Sequence, residues 1–262
     1  MVIKSRQNPK VKALARLKTK KGRREAGAFL VEGAREIERA LESPRVRPKL
    51  FVVDEENLSP AEQEVLKKRP EIEVMRVSPE VMAKIAYREN PGGLLLVAAA
   101  EEPKLKDLDP GENPLVLVAV GLEKPGNLGA VFRSADAAGA SVLVADPRVE
   151  PWAPQTIRAS TGTVFSVPFA VASGEEARRW LKERGLKVLA TSPHAEKDYW
   201  QAEMRGPLAV VIGPEESGLE KAWLAEADEA VRVPMHGVAD SLNASVTAAL
   251  LLYEALRQRQ AD

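Results

Sequence analysis

"LVLVAVGLEKPGNLGAVFRSADAAGASVLVAD", residues 115–146, is where this chain declares its architecture. An unbroken apolar run over 115–120 stops at a Pro-Gly-Asn-x-Gly turn, a mostly apolar segment of helical length follows, and a second apolar run opens at Ser141. Short apolar runs without alternation mark strands buried on both faces, and a helix between two of them predicts parallel neighbours joined by a crossover. Gly126 and Gly129 let the backbone approach a ligand, Asn127 is placed to cap the helix, and Arg133 follows one and a half turns later. On its own such a turn is an ordinary capped strand-to-helix connection as readily as a binding loop.

Working outward, the second half repeats the pattern. "SVLVAD", a helix near Pro154–Ala159, "VFSVPFAV", a helix over Glu175–Arg184, "KVLAT", "LAVVIG", a helix near Glu220–Ala225, "AVRVP" and a long helix from Ser241 to Arg259 predict an α/β domain with a mostly parallel sheet. Ligands of such sheets bind beyond the carboxyl ends of the strands. The first half predicts a smaller α/β domain, with helices over Pro9–Lys18, Ala34–Leu41, Pro60–Lys68 and Pro79–Ile85 and strands at "AFLVEG", "KLFVVD", "IEVMRV" and "LLLVAAA". Between them "EEPKLKDLDPGENP", residues 101–114, is charged, carries three prolines and lacks periodicity. The expected division is 1–100, a linker over 101–113, and 114–262.

Composition narrows the chemistry. The 262 residues suffice for two domains, and no apolar run approaches the ~20 residues needed to span a bilayer. No apolar signal core interrupts the basic start, so a cytoplasmic protein without membrane contact is expected. The chain has no cysteine and only His194 and His236, which excludes disulfides, thiolate nucleophiles and cysteine zinc sites and argues against any metal centre. Twelve Asn plus Gln beside 19 Pro and many Lys, Arg and Glu resemble a heat-adapted composition. Net charge is zero, yet residues 1–24 hold ten Lys or Arg and no acid. Such a cluster is either a solvated face or an electrostatic footprint for nucleic acid, and charge alone selects neither DNA nor RNA.

Two further loops stand at strand ends. "GPEESGLE", residues 213–220, follows the run "LAVVI"; it lacks the Lys and Ser/Thr of a phosphate-binding loop and reads equally as a solvated turn. "VPMHGVADSLNASVTAALLLYEALRQR", residues 233–259, takes a strand end through a polar loop into the last helix, where Ser241, Asn243 and Ser245 cluster. Helix capping accounts for part of that cluster. His236, a lone loop histidine without a partner in the pattern, reads as surface.

Taken in order and separation, "NLGAVFRSA", "GPEESGL" and "VPMHGVADSLNASVTAALLLYEAL" resemble the three signature segments of the SpoU (TrmH) family of RNA ribose 2′-O-methyltransferases, within the SPOUT superfamily. The resemblance spans roughly residues 114–259, and the front segment is similar to the ribosomal-protein-like substrate-binding domain of ribosomal RNA modifiers. It implies an α/β fold whose C-terminal part is threaded into a trefoil knot, which general folding rules would have argued against. It implies S-adenosyl-L-methionine as cofactor, a homodimer, and RNA as partner, with 23S ribosomal RNA ahead of transfer RNA. By motif position, Asn127, Arg133, Glu215, Ser241 and Asn243 fall in the reaction-centre and RNA-facing set. Gly213, Val233 and Leu242 fall where family members hold the cofactor through backbone groups, with Thr191 toward the adenosine. Ala244 stands where many relatives carry Val. Methyl transfer from a sulfonium to a ribose hydroxyl needs alignment and removal of a proton, and no metal. The fixed positive charge and forked donors of a guanidinium make Arg133 a phosphate anchor and charge stabiliser before it is a base. The alternative reading is a non-catalytic RNA-binding or ribosome-assembly protein on the same fold.

Overall fold

A computed structural model describes residues 2–260 and falls into two compact units. The first comprises the chain up to Glu101 together with Glu150–Ser166. Its elements are α1 (Pro9–Arg16), α2 (Lys20–Ala26), β1 (Phe29–Glu32), α3 (Ala34–Glu42), β2 (Val46–Val53), α4 (Pro60–Lys68), β3 (Val74–Arg76), α5 (Pro79–Ile85) and β4 (Leu94–Ala100). The strands form one sheet in the order β1-β4-β2-β3, antiparallel except for β2 with β3. Local chemistry sets the helix ends: Ser59 and Glu62 close a reciprocal capping box on α4 with Pro60 in its first turn. The expected helix over Pro9–Lys18 stops at Arg16, and Thr19 caps a second helix that its polar sequence conceals.

The second unit holds β5 (Leu115–Val120), α6 (Pro125–Ala138) and β6 (Ser141–Ala145), and resumes after α7 (Pro154–Ala159) of the first unit. It continues with β7 (Phe169–Ala172), α8 (Gly174–Glu183), β8 (Lys187–Thr191), β9 (Lys197–Asp198), β10 (Leu208–Ile212), α9 (Lys221–Glu226), β11 (Glu229–Arg232) and α10 (Ala244–Arg259). Seven strands pair in the order β7-β6-β5-β10-β8-β11-β9, every pair parallel. Every residue of β5, β6 and β10 is buried, as expected where helices cover both faces. α10 lies along α6 and across β5 and β10, so the last helix covers the centre of the sheet.

Two features depart from the linear division of the sequence. Residues 150–166, inside the second half of the chain, pack with the first unit: Trp152 and Phe165 stack on each other at 5.8 Å, and Phe29 of β1 stacks on both. Arg23 binds Glu150 at 2.6 Å, and Arg39 donates to the carbonyl of Thr161 at 2.8 Å. Within the expected linker, the carbonyl of Pro103 accepts from Val171 N at 2.9 Å and Leu108 is buried in the core of the second unit. Aromatic and leucine side chains at these points outweigh the polar composition around them.

Candidate active site at the carboxyl ends of the central strands

Strand β10 lies between β5 and β8, and the loops that leave β5 and β10 at their carboxyl ends are neighbours across the sheet. Each carries one of the sequence motifs, and the chain entering α10 brings the third. Glu215, in the loop after β10, is where they meet. Its Oε1 accepts from Asn127 Nδ2 at 2.9 Å, from Asn243 Nδ2, and from the backbone N–H of Ala244 at 3.3 Å. Its Oε2 accepts from Lys124 Nζ at 2.8 Å. Asn243 Nδ2 also reaches Asn127 Oδ1 at 3.1 Å, closing a triangle of side chains drawn from the three motifs.

The hydrogen bond from Lys124 holds the Glu215 carboxyl below the usual carboxylate range against the opposing effect of burial, and the N–H of Ala244 and amide of Asn127 add to it. Reciprocally, Glu215 raises the ammonium pKa of Lys124. Charge is therefore fixed at this junction throughout the neutral range.

Asn127 does not cap α6. The helix begins at Pro125 with Lys124 as its N-cap, and Asn127 sits in the first turn, which leaves its amide to cross to Glu215. The N-cap of α10 is Asn243, whose Oδ1 accepts from Ser245 N at 3.0 Å and from the Ser245 hydroxyl at 2.6 Å. The last helix thus starts at Ala244 rather than Ser241. Ser241 is exposed and makes no hydrogen bond among the described residues. Arg133 lies well along α6, exposed and without a polar partner among the described residues, apart from the Asn127–Glu215–Asn243 triangle.

The residues expected to hold a cofactor gather at adjacent strand ends. Thr191 closes β8 and its hydroxyl donates to the carbonyl of Val211 at 3.0 Å; Gly213 follows β10, and Val233 follows β11. A Cβ on Gly213 would stand 2.8 Å from both the carbonyl carbon of Gly218 and the nitrogen of Leu219, so only glycine lets the loop fold back on itself here. Among the described residues, 234–242 form no hydrogen bond with the rest of the chain. Val233 and Leu242 are half-buried and frame that segment. Backbone donors and acceptors between half-buried apolar side chains suit an adenosine-bearing ligand held largely through main-chain groups. His236 is exposed in the same segment.

Two residues that the sequence patterns passed over also belong here. Lys124 is part of the Glu215 junction, and Arg148, in the loop after β6, lines with it a cavity of about 230 Å³ beside Asn127 and Glu215. The rule that ligands lie beyond strand carboxyl ends applies to β6 as to β5, and would have drawn attention to "DPR" at 146–148. A larger cavity of about 700 Å³ lies at the opposite end of β8, between α8 and α9. None of the motif residues lines it. Among the described residues no cluster of His, Asp and Glu is arranged to hold a metal.

An all-parallel α/β sheet with three motif segments knit together over its central strands is the architecture of a domain that binds a ligand beyond its strand ends. More particularly, the chain belongs to the SpoU rRNA Methylase family, whose model matches residues 114–253, and residues 8–96 match the MRM3-like substrate binding domain. It is 31% identical over 252 residues to the 23S rRNA (guanosine(2553)-2′-O)-methyltransferase RlmP of Bacillus subtilis (strain 168), covering 96% of this chain and 97% of that one. A crystal structure of an RNA 2′-O ribose methyltransferase superposes with a TM-score of 0.89 at 51% identity, covering 99% of this chain and all of that one. The SpoU methyltransferase AviRb from Streptomyces viridochromogenes, crystallised with AdoMet, superposes with a TM-score of 0.89 at 29% identity over 97% of this chain and 99% of its own.

Proposed function

We propose that this protein transfers a methyl group from S-adenosyl-L-methionine to a ribose 2′-hydroxyl of RNA, with 23S ribosomal RNA as its substrate. The observation that carries the reading is the junction at Glu215, where one carboxylate gathers Asn127 and Asn243 from motifs 116 positions apart. Relatives that match this chain over nearly its full length bear the names of 23S rRNA 2′-O-methyltransferases, which supports the same reaction and RNA class.

When bound, S-adenosyl-L-methionine supplies an electrophilic methyl group on a sulfonium. The chain's task is to hold two reactants in line and to favour loss of the hydroxyl proton. Gly213 and Val233, with Leu242 of the 234–242 segment, offer backbone groups to the cofactor, and Thr191 braces the strand end beneath them. Asn127 and Asn243 orient the loops toward the acceptor ribose, with Glu215 as the positioning residue that fixes both. Ser241 faces solvent at the entrance of α10 and serves RNA contact.

The active form is a homodimer in this reading. α10 is apolar around much of its circumference: Ala248, Leu251, Leu252 and Ala255 face the core, whereas Val246 and Tyr253 are exposed at 46% and 53%. A helix with a second apolar stripe is suited to a second partner, here another copy of the chain. Arg133, exposed and without a polar side-chain partner among the described residues, then acts in the reaction centre of the other subunit. A trefoil knot in the C-terminal part belongs to this reading, with α10 lying on β5 and β10. No helix among the described residues is long and apolar enough to cross a membrane, and a cytoplasmic site of action accords with a ribosomal substrate.

The test is transfer of labelled methyl from S-adenosyl-L-methionine to unmodified 23S and transfer RNA, followed by nucleoside mapping, with Arg133→Ala as control. Label on a ribose 2′-oxygen of 23S RNA that disappears in the variant is the expected result. Cofactor and RNA binding with no transfer to either RNA would favour a non-catalytic RNA-binding protein.

A further inference from the structure

The cavity beside Asn127 has a use that the junction at Glu215 does not explain. Leu122 and Pro214 give it apolar wall, Asn127, Ser217 and the carboxylates Glu123, Glu215 and Glu216 line it, and Lys124 and Arg148 reach it from two different loops. Both cations pair with carboxylates of the same lining: Lys124 with Glu215, and Arg148 with Glu123 among its contacts. Lys124, Arg148 and Glu123 are each more than half exposed, so these pairs are held weakly and can exchange for a stronger anion. A guanidinium and an ammonium lining one small cleft can take a phosphodiester in exchange for their carboxylates, with the fork of Arg148 matched to two phosphate oxygens.

We propose that Arg148 and Lys124 are the positioning residues for the RNA phosphate next to the acceptor ribose, and that Glu123 is one of the groups that hold Arg148 until RNA arrives. Phosphate contacts set the register of a nucleic acid without reading its bases, which is what placing one 2′-hydroxyl requires. Arg133 cannot serve this cavity within its own chain, since it is absent from the lining and lies well along α6. The inference rests on the methyltransferase reading given above.

The experiment measures methyl transfer to in vitro-transcribed 23S RNA as a function of RNA and salt concentration for the wild-type protein, Arg148→Ala, Arg148→Lys and Glu123→Gln. It is joined by filter binding of the same RNA and calorimetric binding of S-adenosyl-L-methionine. Arg148→Ala should raise KM for RNA about 10-fold, keep kcat within about 3-fold and leave cofactor affinity unchanged. It should also reduce the slope of log affinity against log salt by about 1, the mark of one lost phosphate contact. Arg148→Lys should recover the slope but only part of the KM. Glu123→Gln should lower KM about 3-fold, a gain that a damaged fold does not produce. Unchanged KM and salt slope in Arg148→Ala, or a loss confined to cofactor binding, would overturn the proposal. Absence of any transfer by the wild-type protein would sink the enzymatic reading instead, and the filter-binding slopes would still decide the role of Arg148.

Discussion

At the scale of single residues, Glu215 has the most to lose. Hydrogen bonds to a charged acceptor contribute ~1.5–3 kcal/mol where they are shielded, and solvent access here argues for the lower end. Glu215→Gln is expected to lower kcat/KM by roughly 10-fold or more, since ~1.4 kcal/mol corresponds to a factor of ten. Its pKa is depressed in the folded protein by the Lys124 hydrogen bond, so its stabilising effect is present above the ordinary carboxylate pKa of ~4.3 and fades as pH falls through the lower folded value. Melting temperatures of wild type and Glu215→Gln should therefore differ at pH 6–8 and converge in acid. Gly213→Ala should weaken cofactor binding and destabilise the fold by ~1–3 kcal/mol, because the atoms that its Cβ meets are backbone and have no rotamer to escape into. Calorimetry and denaturation measure the two effects separately. Not every basic residue of the first 24 serves RNA: Arg23 is largely buried, bound to Glu150 and to the carbonyls of Leu17 and Lys18. Arg23→Ala should cost ~3–5 kcal/mol in urea denaturation, while Lys10→Ala, fully on the surface, should leave stability unchanged.

At the scale of elements, α10 couples folding to the site, because its N-cap is also a corner of the Glu215 triangle. Asn243→Ala removes both functions and should cost ~1 kcal/mol of stability as well as activity. Asn243→Asp separates them. An aspartate caps as well as an asparagine, but it sets a second carboxylate against Glu215, so helix stability measured by denaturation should survive while methyl transfer falls. The sequence patterns found both ends of this story only partly. They located the cluster at 241–245 but could not tell which residue caps, because Ser241, Asn243 and Ser245 are all competent caps and the choice depends on where Glu215 arrives from another strand. For the same reason Asn127 read as a cap for α6, when a tertiary partner had already claimed its amide.

At the scale of the whole molecule, the proposed dimer is tested at the exposed Val246 and Tyr253: sedimentation of the wild-type protein as a dimer and of Tyr253→Asp as a monomer without methyl transfer is the expected outcome, with cofactor affinity and melting temperature measured alongside to separate assembly from folding. Cutting the chain at residue 98 would remove Phe29 from Trp152 and Phe165, so the remaining fragment should aggregate unless both aromatics are also replaced. The sequence by itself determined the alternation of helices and strands, the parallel sheet and the three strand-end loops, because burial on both faces writes continuous apolar runs and strand-end loops carry their own turn residues; the kind of chemistry came only from the resemblance of those loops to the SpoU segments. Only the tertiary structure decided that residues 150–166 pack with the first unit, that Lys124 and Arg148 line the cavity beside Asn127 and Glu215, and that Glu215 ties the motifs together. Those outcomes depend on contacts between residues tens to more than a hundred positions apart, and neither local propensity nor periodicity reaches across such a separation.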